Sequence, residues 1–221
     1  MRTNLEKEGV LALLHETSSE IGVRLNAPQA ELFWLYLQEL LEWNRTFPLT
    51  AVTEPADIVI KHFVDSLSPL PYLKAPTNLL DIGSGAGFPG IPLKIAAPDL
   101  HLSLVDTNRR KVSFLKQVVR TLKLREVAVR HGRVEDFPPP DQPFTTIISR
   151  AFRRLEPLLD LVSPLLAPGC TLVAMLGLTG IPEHRLFQGL AAAHGLHLSQ
   201  VVPLELPRAR GGRTLVFFRK G

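Results

Sequence analysis

Apolar residues recur at helical spacing from Leu5 to Ile21, through Val10, Leu13 and Leu14, and this period predicts an amphipathic helix. A stronger apolar side runs through PQAELFWLYLQELLEWNR. Pro28 suits the first turn of that helix, with Asn26 nearby as a cap. Pro48 and the TAVTEP stretch interrupt it, and a third helix is expected from about Pro55 to Leu67. The proline-rich SPLPYLKAPT then marks an expected boundary, with a helical region over 1–70 and a main domain over 71–221.

From Asn78 the pattern alternates between strand and helix. NLLDI, HLSLVD, EVAVRH, FTTIISR and CTLVAML read as strands. PGIPLKIAA, RRKVSFLKQVVRTLKL, LEPLLDLVSPLL and PEHRLFQGLAAAHG read as helices, the last with Gly195 near its C-cap. LHLSQVVPLEL and RTLVFFRK are expected to close the chain as an antiparallel pair. Alternating β and α units with short links predict an α/β fold with a mostly parallel, doubly wound sheet.

Composition narrows the class. Of 221 residues, 45% are apolar and 21% charged, as in water-soluble globular domains. No apolar run reaches the roughly 18–20 residues that span a bilayer. The N-terminal MRTNLEKEGV lacks the apolar core of a signal peptide. The single cysteine, Cys170, excludes an internal disulfide and a cysteine zinc cluster, and the seven histidines show no metal-ligand spacing, so no metal is expected. A cytoplasmic, monomeric protein with no membrane partner is the expectation. Net charge is +4 but uneven: residues 1–70 carry 5 Lys/Arg against 10 Asp/Glu, and residues 71–221 carry 20 against 11. A basic main domain favours a polyanionic partner such as nucleic acid.

The chemistry concentrates in NLLDIGSGAGFPG, residues 78–90. In an open α/β sheet a ligand binds at the carboxyl ends of the strands, where this loop lies. Gly85, Gly87 and Gly90 fit the dinucleotide pattern G-x-G-x-x-G, a weak signal alone. Gly83, Gly85 and Gly87 fit the G-x-G-x-G loop of S-adenosylmethionine-dependent methyltransferases. Charge favours the second reading. Asp81 would repel a pyrophosphate, whereas S-adenosylmethionine brings an ammonium and a sulfonium. Asp106 ends the second strand, 19 residues past Gly87, where an acid accepts hydrogen bonds from ribose hydroxyls; it is equally placed to cap the next helix. GRVEDF, containing Val134 and Glu135, ends the third strand at the height of an adenine ring, or is simply a capped turn.

Further candidates follow the fourth strand. Arg150 in SRAF is placed to hold a phosphate or a guanine O6, or else to pair with Glu156. Phe152 is placed to stack on a base or to join the core. His62 and Asp65, three apart on one helix face, are expected to pair and to fix the N-terminal helices on the main domain. Basic residues cluster at Arg109, Arg110, Lys111, Lys116, Arg120, Lys123 and Arg125, and again at Arg208, Arg210, Arg213, Arg219 and Lys220. Either cluster suits phosphate backbone, or a solvated face.

EWNRTFPLTAV, IKHFVDSL, LLDIGSGAGFPGIPLKI, VDTNRRKVSFLKQV, HGRVEDF and IISRAF together give the chain its strongest likeness. Across residues 40–155 it resembles the glucose-inhibited division protein B family, bacterial 16S ribosomal RNA guanine-N7 methyltransferases. It departs where that family usually has Asn at the position of Pro48 and Lys at that of Leu176. The resemblance implies a Rossmann-like methyltransferase fold with a small helical N-terminal region. It implies S-adenosylmethionine as cofactor, contacted by Gly83 and Phe88, with Val134 and Glu135 bracketing the adenine and Arg150 also at the site. It implies methyl transfer to N7 of one guanine in 16S ribosomal RNA, free or in the small subunit.

On this reading Asp81, Gly83, Gly85, Phe88, Asp106, Val134, Glu135 and Arg150 form the cofactor site, and Arg150 is the candidate catalytic residue. Arg208, Arg210 and Arg213, in the PRARGGR loop beside the final strand, are expected to grip RNA. A small-molecule methyltransferase of the same fold and a regulatory protein that binds cofactor and ribosomal RNA are the competing readings.

Overall fold

The structure is a computed structural model, and it describes residues 6–74, 77–138, 142–150, 154–177, 184–208 and 212–221. Its centre is one seven-stranded sheet of order β3-β2-β1-β4-β5-β7-β6. β1 (Asn78–Ile82), β2 (His101–Asp106), β3 (Val127–His131), β4 (Thr146–Ser149) and β5 (Thr171–Gly177) are parallel. β7 (Gly212–Lys220) runs antiparallel between β5 and β6 (Leu196–Glu205). The closing hairpin is therefore present as expected, with its last strand inserted into the sheet.

Both sheet faces are covered, because successive strand residues point to opposite sides. Leu79 joins one buried cluster and Leu80 the other. The second cluster packs α7 (Leu155–Val162) and α8 (His184–Ala193) on the sheet. The first cluster receives α5 (Gly90–Ala96), α6 (Arg109–Thr121) and the whole N-terminal helical region. α1 (Lys7–Glu20) and α2 (Ala27–Thr46) thus share one core with the sheet rather than building their own. Gln29 strengthens that junction by donating to the carbonyls of Ile95 and Ala96, at the end of α5.

Local chemistry sets the element ends. Asn26 caps α2 through a reciprocal pair: its Oδ1 accepts from the Gln29 N–H, and Gln29 Oε1 accepts from the Asn26 N–H. Gly195 takes φ +63 just past α8, as the sequence predicts for a C-cap. The third helix departs from expectation in its middle. α3 (Pro55–Ile58) passes through a π-helical stretch, Val59–Val64, before one last turn, α4 (Asp65–Leu67). Such bulges frequently mark functional sites, and this one carries His62. No described helix is long and apolar enough to cross a membrane.

Candidate active site

The glycine loop leaves β1 at the carboxyl edge of the sheet. Its start is tied to the neighbouring strand, since the N–H groups of Gly83 and Ser84 both donate to the Val105 carbonyl. Two glycines are required by close approach. A Cβ on Gly87, which has φ +96, would lie 2.6 Å from the Tyr36 hydroxyl and 2.7 Å from Ile91 Cγ1. A Cβ on Gly90 would lie 2.5 Å from Leu104 Cδ2 and 2.8 Å from Asp81 Oδ2. Real Cβ atoms do not come so near, so the loop closes only with hydrogen at these positions.

The two acids play different parts. Asp81 is fully buried, and its Oδ2 accepts the Gly90 N–H at 2.9 Å, at the start of α5. Its Oδ1 has no hydrogen-bond partner among the described residues. Burial pushes its carboxyl up to about 7, against the lowering by the Gly90 N–H and by Arg150. Asp106 accepts the Gly85 N–H on Oδ2 at 2.8 Å and the Asn108 N–H on Oδ1 at 2.7 Å. It clamps the glycine loop to the end of β2. The cap of α6 is Asn108, whose Oδ1 accepts from Arg110 and Lys111, so Asp106 is not the cap.

Beside Asp106 opens a cavity of about 430 Å³, bounded by Ile82, Gly83, Thr107, Gly132, Val134 and Glu135 among others. Val134 and Glu135 stand in a 3-10 turn after β3. Gly83, Asp106, Val134 and Glu135 thus meet at one opening.

On the other side of the loop lies Phe88, 5% exposed. The His62 ring stacks on it at 4.6 Å between centroids, and the Arg150 guanidinium sits 5.0 Å from its centroid. Arg150 donates to Asp65 Oδ2 at 3.0 Å and to the Lys61 carbonyl. Asp65 is fully buried and also receives Arg213, whose Nε donates to Oδ1 at 2.6 Å and whose Nη2 donates to Oδ2. One buried carboxylate therefore orients two guanidiniums, which keep 17% and 18% exposure. A planar fork fits a carboxylate in this way where an ammonium would not.

His62 is engaged from both ring nitrogens. Nε2 lies 2.7 Å from Thr50 Oγ1, and Nδ1 lies 3.0 Å from the Lys61 carbonyl. The Lys61 carbonyl can only accept, so the neutral ring carries its proton on Nδ1 and Nε2 accepts from the Thr50 hydroxyl. Arg150 Nη2, 3.4 Å from Nδ1, is then a contact and not a hydrogen bond. Burial and the adjacent Arg150 push His62 down to about 4, so it is neutral at physiological pH. Asn44 shapes the loop that delivers Thr50: its Oδ1 accepts from Leu49 and Thr50 N–H, and its Nδ2 donates to the Thr50 carbonyl.

Several expectations change. His62 and Asp65 do not bond each other; both meet Arg150 instead, and Asp65 ties the helices to the sheet through two arginines. Arg150 pairs with Asp65, not Glu156. Arg213 is not a loop residue open to RNA. It stands in β7, paired in register with Gly177, and its guanidinium is spent on Asp65. Arg208 has φ +57 and pairs with Glu16 of α1. Arg210 and Phe152 lie outside the described residues. Tyr36, Asn44 and Thr50 carried no chemical motif and were not singled out from the sequence. Among the described residues no cluster of His, Cys, Asp or Glu is arranged to hold a metal ion.

The residues fit S-adenosylmethionine. A buried carboxylate oxygen without a partner among the described residues, a glycine-lined opening and an acid at its edge suit a cationic nucleoside. Known proteins point the same way. Residues 29–210 match the family model described as rRNA small subunit methyltransferase G, GidB. A ribosomal RNA small subunit methyltransferase G from Chromobacterium violaceum is 40% identical over 205 residues, 93% of this chain and 95% of that protein. A solved S-adenosylmethionine-dependent methyltransferase from Aquifex aeolicus shares the fold at TM-score 0.55 and 18% identity, over 73% of this chain and 92% of that one. Another, from Thiobacillus denitrificans with S-adenosylhomocysteine, aligns at TM-score 0.52 and 13% identity, over 71% and 91%. The sheet order, the glycine loop and a match across most of the sequence agree, and the chain belongs to the rRNA small subunit methyltransferase G family.

Proposed function

We propose that this protein transfers a methyl group from S-adenosylmethionine to N7 of a guanine in 16S ribosomal RNA, within or before assembly of the small subunit. The bound cofactor supplies an electrophilic methyl on a positively charged sulfur. Asp106 holds its ribose, Val134 and Glu135 flank the adenine, and Gly83 and Gly85 let the backbone approach. Asp81 balances the positive charge from below the loop. Arg150 and Phe88 face the reacting base.

Guanine N7 offers an in-plane lone pair and carries no proton, so no base has to remove one. The surroundings of Phe88 suit that requirement. His62 is neutral with both nitrogens engaged, and Arg150 is fixed by Asp65 with its guanidinium over an aromatic face. Such a site works by orienting the nucleobase and excluding water. The one observation that carries the reading is Arg150 held between Asp65 and Phe88, a rigid donor suited to guanine O6 or an adjoining phosphate. Mass mapping of methylated guanines in 16S RNA, from cells with and without the protein, tests it. A methyl lost elsewhere than at a guanine, or no loss at all, would overturn it.

A further inference from the structure

Beside the site, at the junction of α2 and α6, lies an aromatic and basic patch that neither cofactor nor reacting base requires. Phe47 ends α2 and is half-buried. Trp43 packs on it at 6.2 Å between centroids and in turn meets Phe114 edge-on at 5.6 Å, 63°. The guanidinium of Arg110, in the first turn of α6, lies 4.8 Å from the Phe47 centroid. Arg110 is exposed, as are Arg45, Pro48, Arg109 and Glu42, which Arg45 pairs at 2.8 Å. Glu39, at the same junction, accepts from the Thr121 hydroxyl.

The patch is connected to the site on two sides. Phe47 is three residues before Thr50, whose hydroxyl bonds His62, and His62 stacks on Phe88. Arg110 is four residues after Asp106, and its N–H is held by Asn108, whose own N–H is held by Asp106. The Arg110 backbone is thus tied to the acid of the site, while Phe47 is held by its N–H to the Trp43 carbonyl. An exposed guanidinium lying on an aromatic ring is pre-ordered at little entropic cost. Planar guanidiniums and aromatic faces are the surfaces on which unpaired RNA bases stack.

We propose that Arg110, backed by Phe47 and Trp43, is a stacking platform for an unpaired base flanking the target guanine. This rests on the RNA-methyltransferase reading. It assigns Arg110 a role that differs from phosphate binding, and the two roles give different responses. A stacked guanidinium acts through its plane, so lysine cannot replace it. A phosphate contact acts through charge, so lysine can.

The test uses full-length protein and a single-stranded RNA covering a target guanine, with an abasic nucleotide placed at successive flanking positions. Arg110→Lys and Phe47→Leu should each weaken RNA binding about tenfold, in line with the worth of one base stack. The salt slope and the affinity for S-adenosylhomocysteine should not change. One abasic position should weaken wild-type binding equally and remove the difference between wild type and Arg110→Lys. Overturning results are wild-type affinity in Arg110→Lys together with a salt slope lowered by about 0.7 in Arg110→Ala, the mark of a phosphate contact, or no sensitive abasic position. Guanine methylation by wild-type protein is scored on the same RNA. Its absence would count against the enzymatic reading, while the binding comparison still decides the platform.

Discussion

The hydroxyl of Tyr36, in the second helix, donates to the carbonyl of Ala86 in the middle of the glycine loop, 50 positions later. Its ring lies between Phe63 and Phe88, with centroids at 5.3 and 5.6 Å. A helix outside the methyltransferase sheet therefore braces the loop on which the cofactor reading depends. Tyr36→Phe keeps the packing and leaves a buried carbonyl without its donor, which costs about 1–3 kcal/mol. Thermal melting should show that loss. Calorimetry should show weaker S-adenosylhomocysteine binding, because the loop is less well ordered. Unchanged affinity would separate the brace from the cofactor site.

Asp106→Ala should fail twice. It removes the acceptor for ribose hydroxyls, and it frees the N–H groups of Gly85 and Asn108 that the carboxylate now holds. Cofactor binding should weaken by about 1.5–3 kcal/mol, the range for hydrogen bonds to a charged group. Stability without cofactor should also fall by at least 1 kcal/mol, about the worth of one lost hydrogen bond. Calorimetry paired with denaturant melts would check both. A variant with normal stability and weak binding would show that the loop keeps its shape unaided.

Arg213 gives the clearest separation between structure and RNA contact. Arg213→Ala removes one of two partners of a buried carboxylate, and breaking a buried pair typically costs about 3–5 kcal/mol; the remaining Arg150 contact places the cost near 3 kcal/mol. The salt dependence of RNA binding should stay as in wild type, since this guanidinium neutralises Asp65. A salt slope lowered by about 0.7–0.9 would instead make it a phosphate contact.

Two buried groups give opposite pH dependences. The carboxyl of Asp81 is raised from 3.8 to about 7 on folding. Its contribution is full below pH 3.8 and is lost as pH rises through 7. His62 is lowered from 6.5 to about 4. Its contribution is full above pH 6.5 and is lost as pH falls through 4. Urea melts between pH 4 and 8 should show Asp81→Asn flattening the neutral-side loss, and His62→Gln flattening the acid-side loss. A cationic ligand favours the ionised form of Asp81, so S-adenosylmethionine binding near pH 7 should release protons, and the sulfonium-free S-adenosylhomocysteine fewer. Titrations in buffers of different ionisation enthalpy would detect the release, and Asp81→Asn should abolish it.

The succession of strands and helices and the glycine loop were legible because they rest on local signals: period-two apolar runs, short links, and glycines at fixed spacing. The positions of Asp106, Val134 and Glu135 followed, since each ends a strand and parallel strands end on one side. The partners of Asp65 and Arg213 were not legible. Arg213 reads as a loop cation because it ends PRARGGR, yet the antiparallel register that sets it opposite Gly177 is a property of the whole sheet. The π-helical stretch at Val59–Val64 was equally hidden, because its composition differs little from that of an α-helix. Tyr36 reads as one more core aromatic until the backbone of a distant loop supplies its hydroxyl with an acceptor.

The insertion of β7 between β5 and β6 also governs the order in which the molecule can be completed. Asp65 is made early and Arg213 follows 148 residues later. During synthesis Asp65, a carboxylate that burial would penalise, gains its first guanidinium only with Arg150 and its second with Arg213, so the N-terminal helices wait for the sheet. The helices and the sheet therefore cannot mature one after the other. Full assembly is a late event of high sequence separation, and such closures are slow. Any lesion that delays β7 leaves Asp65 buried with one of its two guanidiniums.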